Sequence, residues 1–195
     1  MNALQPRLLS AAFSVAALTL SACAPLPASA PADIAVRGFS NAFELQGRIS
    51  ASNGNQAASG HIEWTHDRGT DRFTLLTPLG QIAARLDADA LGARLVTAEG
   101  ESLTADSAAA LLPRVLGVEV PAERLSRWAQ AAPAAEAEIR NLDAAGRPAV
   151  VIDQGWRIEY PEYAGTAGDA PPARLDISRG DARIRLVIDS WTTLP

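Results

Sequence analysis

The stretch Ala42–Ser50 reads AFELQGRIS, and its apolar residues recur with a period of two. Phe43, Leu45, Gly47 and Ile49 alternate with Glu44, Gln46, Arg48 and Ser50. Strict alternation describes a strand with one face on a core and one in water. The same period continues outward along the chain. HIEWTH puts Ile62 and Trp64 on one face and His61, Glu63 and Thr65 on the other; RFTLLTPLG pairs Phe73 with Leu75; QIAARLDA aligns Ile82, Ala84 and Leu86; GARLVTA follows a turn near Leu91-Gly92. SNGNQAASG, Ser52–Gly60, has loop composition, and HDRGTD reads as a turn. The first half is therefore expected to be an antiparallel meander.

The period changes in the middle. Asp106 is a candidate N-cap for a helix over Ser107–Leu116, with Leu111, Leu112, Val115 and Leu116 on one face. Pro113 should kink or split it, because proline removes a backbone donor. Pro121 suits the first turn of a second helix, in which Leu125, Trp128 and Ala129 form an apolar stripe. Strands then resume. Glu136–Leu142 and Ala149–Asp153 flank the turn DAAGR; GWRIEY aligns Trp156, Ile158 and Tyr160; ARLDIS aligns Leu175 and Ile177; ARIRLVID returns with Ile184, Leu186 and Ile188 inward. Trp191 has the wrong parity for that face, so either a bulge re-aims it or it packs outside. The fold class that follows is mainly β with inserted helices (α+β). It is an open antiparallel half-barrel, with the two helices burying their stripes on its concave face as a lid.

Upstream of this domain the pattern is of a different kind. Arg7 precedes the uncharged run LLSAAFSVAALTL, Leu8–Leu20, which is too short to span a bilayer and has the layout of an export signal. The chain's one cysteine, Cys23, follows directly in Leu20-Ser21-Ala22-Cys23, which resembles the bacterial lipobox. That resemblance implies cleavage before Cys23 and acylation of its thiol and new amine, and several acyl chains anchor a protein firmly. Ala24 stands where an aspartate commonly marks inner-membrane retention, which favours the outer membrane. The expected organisation is a lipoprotein signal peptide at 1–22, a lipidated cysteine and Pro/Ala-rich tether at 23–38, and one binding domain at 39–195. A short helix is also expected over Ile34–Asn41.

Composition narrows the function. Loss of residues 1–22, which carry Arg7 and no acid, takes the net charge from −5 to −6, and there is no lysine. An acidic chain without a basic cluster argues against nucleic acid as a partner. His61 and His66 are five apart, so a regular strand places them on opposite faces, and both read as exposed rather than as metal ligands. No nucleophile elbow, zinc-protease motif or phosphate loop is present, so neither an enzyme nor a cofactor is expected. Four tryptophans, Trp64, Trp128, Trp156 and Trp191, outnumber the two tyrosines. They satisfy a filled core and an apolar cavity equally well.

FELQGRIS, SGHIEW, DRFTLLTPLGQ, AEGESLTADSAAALLPRVLGVEVPAERLSRWA, QGWRIEYPEY and ARIRLVIDSW occur in that order over Phe39–Trp191. Together they resemble the LolB family of outer-membrane lipoproteins. The resemblance implies an open barrel with a helical lid over an acyl-chain cavity, and no catalytic centre. It implies a monomeric receptor, lipid-anchored at the inner leaflet of the outer membrane and facing the periplasm. Such a receptor takes client lipoproteins from the carrier LolA and inserts them into that membrane. On this reading Trp64, Phe73, Leu75, Leu116, Leu125, Trp128, Trp156 and Ile158 line the cavity. Leu79, in TPLGQ, corresponds to the family's exposed apolar residue at the membrane. The chain departs from the family's usual pattern at Val118, where an aromatic is common, and in WAQAAP, which lacks a glycine before the proline. The rival reading is a tethered lipocalin-like module that sequesters a small apolar ligand.

Overall fold

The computed structural model describes residues 37–195. The expected signal peptide, Cys23 and most of the expected tether lie outside the described residues. Eleven strands form one sheet: β1 (Ala42–Ser52), β2 (Ala57–Asp67), β3 (Thr70–Leu76), β4 (Ile82–Asp89), β5 (Gly92–Thr97), β6 (Ser102–Ala105), β7 (Glu138–Leu142), β8 (Pro148–Asp153), β9 (Trp156–Tyr163), β10 (Pro172–Arg179) and β11 (Ala182–Thr193). Helices α1 (Ala108–Leu116) and α2 (Ala122–Ala129) are inserted between β6 and β7. The strand order is β6-β5-β4-β3-β2-β1-β11-β10-β9-β8-β7, every neighbouring pair is antiparallel, and β6 and β7 remain as free edges. The half-barrel is thus two meanders joined at the centre by β1 and β11.

Alternation decides which face is inside. In β1 the residues Phe43, Leu45, Gly47, Ile49 and Ala51 are buried while Glu44, Gln46, Arg48 and Ser50 are exposed. A single slip would reverse the whole set, so one buried face fixes the register. The helices close that face. Leu111, Leu112 and Leu116 of α1 and Trp128 and Ala129 of α2 are buried against it. No helix among the described residues is long and apolar enough to cross a membrane.

The strands reach further than composition suggests. β1 runs to Ser52 and β2 begins at Ala57, so the expected loop over 52–60 shrinks to residues 53–56. Small residues there are weak strand formers, but pairing of Ala57–Gly60 with Ile49–Ser52 overrides that preference. β6 carries no strong alternation and is recruited by pairing with β5. No helix occupies Arg37–Asn41. Arg37 instead donates to the carbonyl of Gln130, and the Gln130 amide bridges the backbone N–H and C=O of Ser40, tying the start of the domain to the end of α2.

Helix α1 begins one residue later than expected. Ser107, not Asp106, is its N-cap, without a side-chain cap hydrogen bond. Pro113 does not split it: α1 continues to Leu116, and Gly117 ends it in the left-handed region (φ 70°) with its N–H on the Pro113 carbonyl. Pro113 is only half-buried, so the Ala109 carbonyl it leaves unpaired can reach solvent.

Trp191 is re-aimed by a bulge. Gln46 pairs with Ser190 but Gly47 pairs with Ile188, so Asp189 is the extra residue. The shift restores inward parity, and the Trp191 ring stacks on Phe43 at 4.4 Å. A Cβ at Gly47 would sit 2.2 Å from the Val187 carbonyl oxygen, so only glycine allows this approach.

Candidate functional site: an apolar chamber under the helices

Between the concave face and the two helices lies a chamber with walls from both layers. Ile49, Ile62, Trp64, Phe73 and Leu75 come from β1–β3; Leu175, Ile177, Ile184 and Leu186 come from β10–β11; Leu112, Leu116, Val120, Leu125, Trp128 and Ala129 come from the helices and their connection. Every lining residue is apolar. The cavity proper measures about 40 Å³, within a concave region of about 580 Å³ that includes its open mouth.

Polar groups behind the walls hold two of the aromatic linings. Trp64 donates its indole N–H to Asp71 Oδ1 at 2.7 Å, and its ring stacks on Phe73 at 4.9 Å. His66 Nδ1 lies 2.8 Å from the same Asp71 oxygen. His66 is therefore not an exposed strand residue as expected: it is buried with the parity of Ile62 and Trp64, while His61 on the opposite face is exposed. On the lid, Trp128 donates to Asp153 Oδ2 at 2.7 Å and accepts at its carbonyl from the Tyr160 hydroxyl at 3.0 Å. Burial pushes the Tyr160 phenol well above its ordinary pKa. Tyr163, which donates to the Pro148 carbonyl, is pushed up to about 12, chiefly by burial, with the Arg37 cation opposing.

Six of the eight residues expected in the lining are there: Trp64, Phe73, Leu75, Leu116, Leu125 and Trp128. Trp156 and Ile158 are not. Both are fully buried on β9 but do not border the chamber. The Trp156 ring lies 6.1 Å from Trp128, with the Arg179 guanidinium 4.5 Å over it. Parity had already turned Ile49, Ile62, Leu175, Ile177, Ile184 and Leu186 inward. Which inward side chains border empty space depends on where the helices land.

Leu79 stands apart from the chamber, 88% exposed in the turn between β3 and β4. Gly80 N–H donates to the Thr77 carbonyl at 2.8 Å and Thr77 N–H to the Gln81 carbonyl at 2.7 Å, so the backbone is held while the leucine projects. Ile82, expected inward, is 40% exposed. Among the described residues no group of three or more His, Cys, Asp or Glu is placed to hold a metal ion.

The family model for outer membrane lipoprotein LolB matches residues 41–191, which takes in both helices and the whole sheet but the last two residues of β11. The chain belongs to the LolB family. The LolB proteins are outer-membrane lipoproteins that receive lipoproteins from LolA and insert them into the outer membrane. Among curated LolB proteins, that of Azoarcus sp. (strain BH72) is 54% identical over 189 residues, covering 96% of this chain and 97% of its own. Those of Thiobacillus denitrificans and Alkalilimnicola ehrlichii are each 36% identical, covering 92% and 93% of this chain and 95% of their own. The LolB match therefore rests on nearly full-length alignments, and the sheet-and-lid architecture agrees with what the family resemblance implies.

Proposed function

We propose that the chamber takes the acyl chains of a client lipoprotein handed over by a LolA-type carrier, and that Leu79 touches the outer membrane when the client is delivered. The observation that carries this reading is the lining itself: walls from two layers and no polar side chain among them. Such a space favours hydrocarbon and offers nothing to a polar substrate. Exposing a chain of about 16 carbons to water costs on the order of 12 kcal/mol at about 0.8 per methylene. A covered route removes most of that barrier, and the bilayer as final sink makes a nucleotide unnecessary.

The cavity proper, about 40 Å³, is narrow where the lid meets the sheet. An acyl chain needs far more room than this. Loading then requires α1 and α2 to lift from the sheet. Residues 1–22 act as the export signal and 23–38 as the lipidated tether with its anchor on Cys23, and the receptor works as a monomer without catalysis.

The deciding experiment places the mature, lipid-anchored protein in liposomes and adds LolA carrying a radiolabelled lipoprotein. Label that moves to this protein and then into the bilayer is the expected result, and Leu79→Glu should stop the second step alone. Label that stays on folded LolA would overturn the reading in favour of the lipocalin-like module.

A further inference from the structure

Strand parity groups Ile82 with Ala84 and Leu86, yet those two are buried and Ile82 is 40% exposed. The β3–β4 ladder explains the difference. Leu75 pairs with Ala84, but Leu76 pairs with Ile82, so Ala83 is an extra residue on the β4 side. A bulge of this kind re-aims the strand beyond it. Here it turns Ile82 out of the chamber, three residues along the chain from Leu79 and four from the exposed Pro78.

Large exposed apolar side chains are rare in this domain: among the described residues they are Leu79, Ile82 and Leu91. Two of the three share one end of β4. From Phe73 to Ala84 the sequence has no charged residue. The shallow concavity against Pro78 on the outer face has Arg48, His61 and Arg185 in its lining and no acid, although Arg48 and Arg185 also pair with Asp189 and Asp176. An uncharged apolar tip with cations behind it fits a lipid surface, where apolar groups enter the acyl boundary and guanidinium groups stay near the phosphates. Leu91 has the opposite surroundings. It lies at the other end of β4, and Asp89 Oδ1 accepts its N–H at 2.7 Å.

We infer that the membrane contact of this chain is a ridge of Pro78, Leu79 and Ile82, with Ile82 brought into it by the β4 bulge. The inference rests on the reading of Leu79 as the membrane-touching residue. The Ile82 side chain then adds its exposed part to the area buried in the bilayer, an effect of about three- to eightfold on delivery for loss of that part of an isoleucine.

Lipidation of the single cysteine, Cys23, leaves the mature protein without a free thiol, so one new cysteine can be labelled selectively. Leu79→Cys, Ile82→Cys and Leu91→Cys would each carry an environment-sensitive NBD dye on the lipid-anchored protein. The liposomes would contain phosphatidylethanolamine, phosphatidylglycerol and a nitroxide-bearing lipid. Quenching at 79 and 82 and none at 91 is the expected result. Quenching at 79 alone would overturn the ridge and leave the Leu79 reading standing. Quenching at neither 79 nor 82, or at 91 alone, would overturn both. In the delivery assay Ile82→Ser should fall about three- to eightfold, Ile82→Leu should restore it, and Leu91→Ser should not change it. An Ile82→Ser protein that still accepts label from LolA but delivers it at the normal rate would also sink the ridge.

Discussion

Asp153 on β8 accepts the indole N–H of Trp128 on α2 at 2.7 Å, inside the core, and its second oxygen Oδ1 has no hydrogen-bond partner among the described residues. This bond joins the lid to the sheet at a carboxyl group that is 2% exposed, beside the second link from the Tyr160 hydroxyl to the Trp128 carbonyl. A half-satisfied buried group is a weak fastening, because opening lets water reach the oxygen left bare in the closed state. Asp153→Ala is expected to cost about 1–3 kcal/mol in denaturant unfolding and to speed uptake of a fluorescent fatty acid by the folded protein. Slower uptake would show that this contact does not hold the lid.

Leu125 and Ile158 separate lining from packing. Ile158 is fully buried outside the chamber, so Ile158→Ala should cost about 2–5 kcal/mol, as buried large-to-small changes do. Its affinity for the fatty-acid probe, corrected for folded fraction, should stay unchanged. Leu125 is half-buried on the lid. Leu125→Ala should cost less stability and change probe affinity, as measured by titration against both proteins.

Gly47 makes the β1–β11 bulge possible. A methyl group there meets backbone, the Val187 carbonyl oxygen at 2.2 Å, which cannot swing aside as a side chain can. Gly47→Ala should destabilise by about 1–3 kcal/mol, the usual range for overpacking. Trp191 should lose its stacking on Phe43, and near-ultraviolet circular dichroism would report that loss alongside the shift in Tm.

The two tyrosines of β9 set an alkaline limit. Burial raises Tyr160 well above its ordinary value and Tyr163 to about 12, so the folded state favours the neutral phenols more than the unfolded chain does. The Tyr163 contribution is fully present below the unfolded value near pH 10 and is lost as pH rises through about 12, and Tyr160 acts in the same direction. Unfolding free energy should fall over that window, and Tyr163→Phe should flatten part of the fall in a pH series.

The period-two pattern in Phe43–Ile49, Ile62–Trp64 and Ile184–Ile188 was enough to assign inward faces, because side-chain direction in a strand is set by position alone. The helical stripe of Leu125, Trp128 and Ala129 was legible for the same local reason. Facing was undecided or misassigned where a neighbouring strand changed the count. Ile82 leaves the inner face and Trp191 joins it because each follows a bulge, and a bulge belongs to a pair of strands rather than to either one. His66 was misread because its partner, Asp71, is supplied across the hairpin by β3.

The sequence by itself determined the alternation of strands, the two lid helices, the family and the presence of Leu79 in a tight Pro-Leu-Gly turn. These are encoded in short windows, where propensity and periodicity act between neighbours in the chain. Only the tertiary structure decided that the core is partly hollow, that Trp128 rather than Trp156 faces the hollow, and that Ile82 stands outside with Leu79. Empty space is a property of two layers that meet. It depends on how far α2 settles onto β8 and β9, which is governed by packing volume and by contacts such as Trp128 to Asp153.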